Sequence, residues 1–143
     1  MRIFYKIISF YFVINLFYSD FSLANEPQSL VTSKVTPTVT QTALLSLQSS
    51  QSAFLLLDVR TVEEFNAGHI ENAKNIPHLD IINNPNSLLP YKNKKIIIYC
   101  RSGRRAGLVE KELIDRGFIN VLHLHGDMNS WQENKLPIAT DKK

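Results

Sequence analysis

One cysteine, Cys100, is the chain's entire supply of thiol, so no disulfide can form within its 143 residues. The formal net charge is only +3, too slight to argue for nucleic acid as a partner. There is no internal repeat and no low-complexity segment, which removes solenoids and biased linkers from consideration. A membrane-spanning helix needs about 20 uninterrupted apolar residues. The stretch that comes nearest, within residues 1–24, is broken by Lys6, Asn15 and Asp20. What is left suits one domain with a single core, 44% hydrophobic, with charges of both signs well mixed.

Residues 1–24 read as a secretory signal peptide. Arg2 and Lys6 precede the apolar run Ile7–Phe17, and the small residues Ser22 and Ala24 mark a cleavage point after Ala24. Asn25 follows, where a lipoprotein would need cysteine. Cleavage leaves 14 basic and 12 acidic side chains on a protein expected to be periplasmic or secreted, without stable membrane insertion. Residues 25–33 read as a flexible tether and 34–140 as the folded domain.

Along that domain, Thr36-Pro37-Thr38 is expected to open a helix, with Thr36 as its cap and Pro37 in the first turn. Ala43, Leu44 and Leu47 would form its apolar face, and Ser49–Ser52 its end. The run "FLLLDV", Phe54–Val59, suits a strand buried on both faces. Thr61 and Glu64 form a capping box for a short helix through Phe65, closed by Gly68. "KIIIY", Lys95–Tyr99, is a second buried strand. Arg105–Arg116 reads as an amphipathic helix with Leu108, Val109, Leu113 and Ile114 inward and Gly117 at its end. Phe118–Leu124 supplies a third strand. Strands alternating with helices imply an α/β fold, its parallel sheet covered on both faces.

Ligands of such sheets bind in the crevice outside the carboxyl ends of the strands, and Cys100 follows directly on one. Its loop leads into a helix N-terminus, where free N–H groups and the helix dipole favour an anion. Arg101, Arg104 and Arg105 add positive charge, and surroundings of this kind favour the thiolate. Three cations at the positive end of a dipole cost stability unless an anion binds. The plain alternative is a buried, inert Cys100 acting as a small hydrophobe; the arginines weigh against it.

These residues now resemble a family. "LLDVRTVEEFNAGHIENAKNIP" (Leu56–Pro77), "IIIYCRSGRRAG" (Ile96–Gly107), "GDMNSW" (Gly126–Trp131) and "LPI" (Leu136–Ile138) are similar to the successive signatures of the rhodanese domain. The resemblance is to the single-domain, exported thiosulfate sulfurtransferases in particular. It implies a central parallel five-stranded sheet with helices on both faces and an active-site loop from Cys100 to Arg105. It implies further that Cys100 takes a sulfane sulfur from thiosulfate or a similar small anionic donor as a persulfide. The acceptor would be cyanide or a thiol, one on a thioredoxin-like protein included, with no cofactor and no metal. Arg101, Ser102, Gly103, Arg104 and Arg105 would bind the donor, Gly103 letting the backbone turn inward without a Cβ.

The sequence departs from the family pattern at Ser102, where two-domain members often carry lysine. It departs again at "GDM" for the usual "GGM" and at "ENA" for "PGA"; both are expected to lie clear of the thiol loop. Asp58 and Arg60 form a signature pair by resemblance. A structural role is favoured for them, with Arg60 pairing Glu63 or Glu64 and Asp58 bonding loop amides. His69 reads as a hydrogen-bonded turn residue and Trp131 as a packing residue. His123 and His125 would share a strand face, a poor metal site without a third ligand. A thiol phosphatase would need arginine at position 106, which is Ala106. A non-catalytic module of this fold is the other rival, and such modules tend to lack the cysteine.

Overall fold

The computed structural model describes residues 36–140, so the signal peptide and tether lie outside the described residues. In chain order the elements are β1 (Thr38–Val39), α1 (Gln41–Ser49), β2 (Leu55–Asp58), α2 (Val62–Ala67), β3 (Lys74–Asn75) and α3 (His78–Asn83). A 3₁₀ helix (Pro85–Tyr91) follows, then β4 (Ile96–Tyr99), α4 (Arg104–Asp115), β5 (Val121–Leu124) and α5 (Asp127–Glu133). The five strands form one parallel sheet in the order β1-β5-β4-β2-β3.

The centre of that sheet follows from "LLLD" and "IIIY", every residue of which is buried. Successive strand residues point to opposite faces. Leu55, Leu57, Ile96 and Ile98 therefore pack with Val109 and Leu113 of α4 on one side. Leu56, Ile97 and Tyr99 pack with Leu44 of α1 and Met128 and Trp131 of α5 on the other. The same alternation assigns Cys100, one residue past β4, to the α4 side. Each fully buried aliphatic chain contributes about 1.5–3 kcal/mol relative to exposure, so the six leucines and isoleucines of these two strands do much to hold the domain together.

Three expectations are corrected. Thr36-Pro37 does not open a helix: Thr38 and Val39 pair with His123 and Leu124 as an edge strand. β-Branched residues next to an open sheet edge prefer extended backbone, and α1 begins instead after Thr40, whose hydroxyl accepts the Ala43 N–H at 3.1 Å. In α4, Leu108 is 46% exposed, and the inward stripe is Ala106, Val109, Glu110 and Leu113. Those positions lie on one helical face at spacings of three and four, whereas Leu108 is rotated off it. The third strand is shorter than expected and starts at Val121. The capping box at Thr61 and Glu64 forms as read, and α2 continues through Ala67 to Gly68.

Candidate functional site

Cys100 directly follows β4 at the carboxyl edge of the sheet and is 1% exposed. The next residues turn sharply, because Gly103 takes φ +92°, a left-handed conformation that a residue with a Cβ adopts only under strain. The turn swings the Gly103 N–H back onto Cys100 Sγ at 3.1 Å. α4 then starts at Arg104 with no side-chain cap, which leaves its first N–H groups facing the loop. The short loop thus surrounds one sulfur with backbone donors and the positive end of a twelve-residue helix.

The arginines divide into two kinds. Arg105 is half-buried and makes a two-pronged pair with Glu64 of α2, at 2.6 and 2.9 Å. That pair holds the Glu64 carboxyl at about 2. It also raises Arg105 above the ordinary guanidinium range, with the Cys100 sulfur adding to the effect. Arg101 and Arg104 are exposed and form no ion pair among the described residues. His78, at the start of α3, is a neighbour the sequence did not single out. Burial first, then the positive fields of Arg105 and Arg104, push it below the usual imidazole range.

Beneath the loop lies a network that sequence reading missed, and it corrects the view that "GDM" lies clear of the thiol. Asp127 Oδ1 accepts the Cys100 N–H at 2.7 Å, and Asp127 Oδ2 meets His123 Nε2 at 2.9 Å. The other ring nitrogen, His123 Nδ1, bonds Glu110 Oε1. The bonds to Asp127 and Glu110 raise His123 to about 10, so its imidazolium persists at neutral pH. With both nitrogens engaged, His123 has none left for a metal; His125, at the strand end, is exposed. A buried glutamate on the inward stripe of a helix was the one available signal, since such a group needs a partner.

A pH prediction follows from His123. Its folded value is raised above the ordinary 6.5, so its stabilising contribution is complete below that pH and is lost as pH climbs through about 10. Thermal unfolding across pH 6–11 should show a fall in midpoint approaching pH 10 that is absent in His123→Gln. An identical alkaline profile in both proteins would refute it.

Asp58 and Arg60 sit at the end of β2, on the same edge of the sheet. Arg60 pairs with Asp58 itself, through Nη2 to Oδ2 at 2.6 Å and Nε to Oδ1 at 3.0 Å, and not with Glu63 or Glu64. The reason is that Asp58 Oδ1 also accepts the Arg60 N–H at 2.9 Å, which folds the two side chains together. Arg60 Nη2 also donates to Gly68 O at 2.9 Å, and its guanidinium lies 5.7 Å from the centre of the Tyr99 ring. A cavity of about 290 Å³ opens here, lined by Arg60, Glu64, Arg101, Asn129 and Gln132 among others. Ser102 is exposed. His69 stacks on Phe65 and bonds its carbonyl, and Trp131 is buried with Nε1 donating to Pro137 O. Both are structural residues, as their sequence settings indicate.

Comparison with known proteins matches residues 40–134 to the family described as "Rhodanese-like domain". Senescence-associated protein DIN1 of Raphanus sativus is 35% identical over 99 residues, covering 62% of this chain and 54% of that protein. Thiosulfate sulfurtransferase 16, chloroplastic, of Arabidopsis thaliana is 32% identical over 120 residues, 77% of this chain and 95% of that one. The chain thus spans about half the length of some of its curated relatives and nearly all of another. Among solved structures, a rhodanese-like domain protein from Staphylococcus aureus superimposes with a TM-score of 0.63 at 30% identity, over 74% of this chain and 99% of that one. With the five-stranded parallel sheet and the cysteine loop at its carboxyl edge, these matches establish that the chain belongs to the rhodanese-like domain family.

Proposed function

We propose that the protein is a sulfurtransferase that carries a sulfane sulfur on Cys100. The observation that carries the reading is the Gly103 N–H directed at Cys100 Sγ within a short cationic loop. In the first step the Cys100 thiolate attacks the outer sulfur of thiosulfate. The sulfur–sulfur bond of the donor breaks, its electron pair leaves with sulfite, and Cys100 becomes a persulfide. In the second step a thiolate or cyanide attacks the outer persulfide sulfur, and the Cys100 thiolate departs as the leaving group. Charge on the donor and on the departing sulfite is met by loop N–H groups, the α4 N-terminus and the exposed Arg101 and Arg104. Arg105 serves differently, because Glu64 already holds it; it braces the loop against α2. The cavity beside Arg101 offers an acceptor thiol, free or on a small protein, a place to dock next to the loop.

Thiosulfate added to the purified protein should increase its intact mass by one sulfur, about 32 mass units, and cyanide should remove it as thiocyanate. Arg101→Ala should raise the KM for thiosulfate about tenfold, because a charge-assisted bond to the dianion is lost. Aryl phosphates should not turn over. Failure of wild type to gain sulfur from thiosulfate, mercaptopyruvate or polysulfide, with hydrolysis of an aryl phosphate through Cys100, would overturn the reading.

A further inference from the structure

Asp127 occupies the second position of the motif that reads "GGM" in the resembling family and "GDM" here. Its backbone takes φ +51°, the left-handed region that suits glycine, yet the residue is an aspartate and is 3% exposed. A buried carboxylate in a glycine conformation carries two costs, so its bonds must offset both. Those bonds lead straight to the thiol loop. Oδ1 takes the N–H of Cys100, and Oδ2 lies 3.2 Å from where a Cβ on Gly103 would stand, under the turn that aims the Gly103 N–H at sulfur.

The carboxylate is itself clamped. His123 reaches it from β5, and Glu110 of α4, 5% exposed, holds the far side of the imidazole. The start of α5 also grips the loop by backbone bonds, Met128 N–H to Cys100 O at 3.1 Å and Asn129 N–H to Arg101 O at 3.0 Å. These take the loop's carbonyls. Among the described residues, only Asp127 takes the Cys100 N–H, a buried donor that is costly to leave unmet.

We propose that Asp127, clamped by His123 and Glu110, is a positioning residue that sets the thiol loop through the Cys100 N–H and keeps Sγ in register with the Gly103 N–H. The rate part of the claim rests on the sulfurtransferase reading; the positional part does not. Three consequences distinguish it from mere core support. The Cys100 amide is held closed to exchange. The rate of persulfide formation depends on an acceptor at Oδ1 more than on the charge of Asp127. Donor binding, which the exposed arginines supply, is little affected.

Asp127→Gly tests this on the full domain without strain, since glycine suits the φ and restores the family pattern; Asp127→Asn keeps an acceptor at Oδ1. Asp127→Gly should speed exchange of the Cys100 amide more than tenfold and lower kcat for persulfide formation from thiosulfate about tenfold, with KM within twofold. Asp127→Asn should recover most of both. Unchanged exchange and kcat in Asp127→Gly would overturn the assignment. So would equal losses in the glycine and asparagine variants that track a fall in thermal midpoint. If wild type takes up no sulfur, the sulfurtransferase reading falls alone; amide exchange then decides, faster exchange with rescue by asparagine supporting the role of Asp127 and unchanged exchange refuting it.

Discussion

Cys100→Ser is expected to abolish sulfur uptake from thiosulfate, a loss of at least about 10³-fold, while the domain unfolds within a few degrees of wild type. The two side chains differ little in size, and a serine Oγ can accept the same Gly103 N–H, so the loop keeps its shape. What disappears is the chemistry: a hydroxyl is not ionised at neutral pH and cannot hold a sulfane sulfur as a persulfide. Cys100 is 1% exposed and packs with Ile98 and Ala106, which is also what an inert core thiol would show. The experiment separates the two cases. An inert thiol predicts no sulfur on wild type and no change in the variant; a sulfur carrier predicts one sulfur on wild type and none on Cys100→Ser, by intact mass. A serine variant that still gains a sulfur would place the chemistry elsewhere.

Arg60→Ala should destabilise the fold by about 3–5 kcal/mol, lowering the thermal midpoint by some 10–20 °C. Asp58 is 0% exposed, and Arg60 is its ionic partner. Removing the guanidinium strands a buried carboxylate and frees the Gly68 carbonyl that Arg60 Nη2 holds at 2.9 Å. It also removes a cation from the side of Tyr99, whose phenol is kept un-ionised above its ordinary range, first by burial and then by Asp58. Asp58→Asn combined with Arg60→Met removes both charges while filling the space, and should cost clearly less than Arg60→Ala alone. Chemical denaturation of the three proteins checks both statements. A loss below 1 kcal/mol for Arg60→Ala would mean that the pair contributes little beyond its resemblance to a family signature.

Much of this protein is determined within short segments of its sequence, and those parts were legible. "LLLD" and "IIIY" admit few solutions other than strands buried on both faces, and Thr61 with Glu64 caps a helix by local bonds alone. The cysteine loop belongs to the same class. Gly103 dictates the turn, and α4 begins four positions after Cys100 wherever the rest of the chain goes. Partners chosen across the fold were not legible. Thr38 and Val39 became a strand because β5 offered them an open edge, which outweighed the capping signal at Thr36. Arg60 had three carboxylates within reach along the chain and took Asp58, while Glu64 was claimed by Arg105, 41 positions away. Asp127 looked like a tolerated substitution because nothing beside it in sequence needed a carboxylate. Only tertiary structure brought together the buried N–H of Cys100, the imidazole of His123 and Glu110 of α4. Local backbone preference acts over a few residues and can be read from them; a buried charge is satisfied by whichever group packing brings within about 3 Å, and sequence order does not encode that distance.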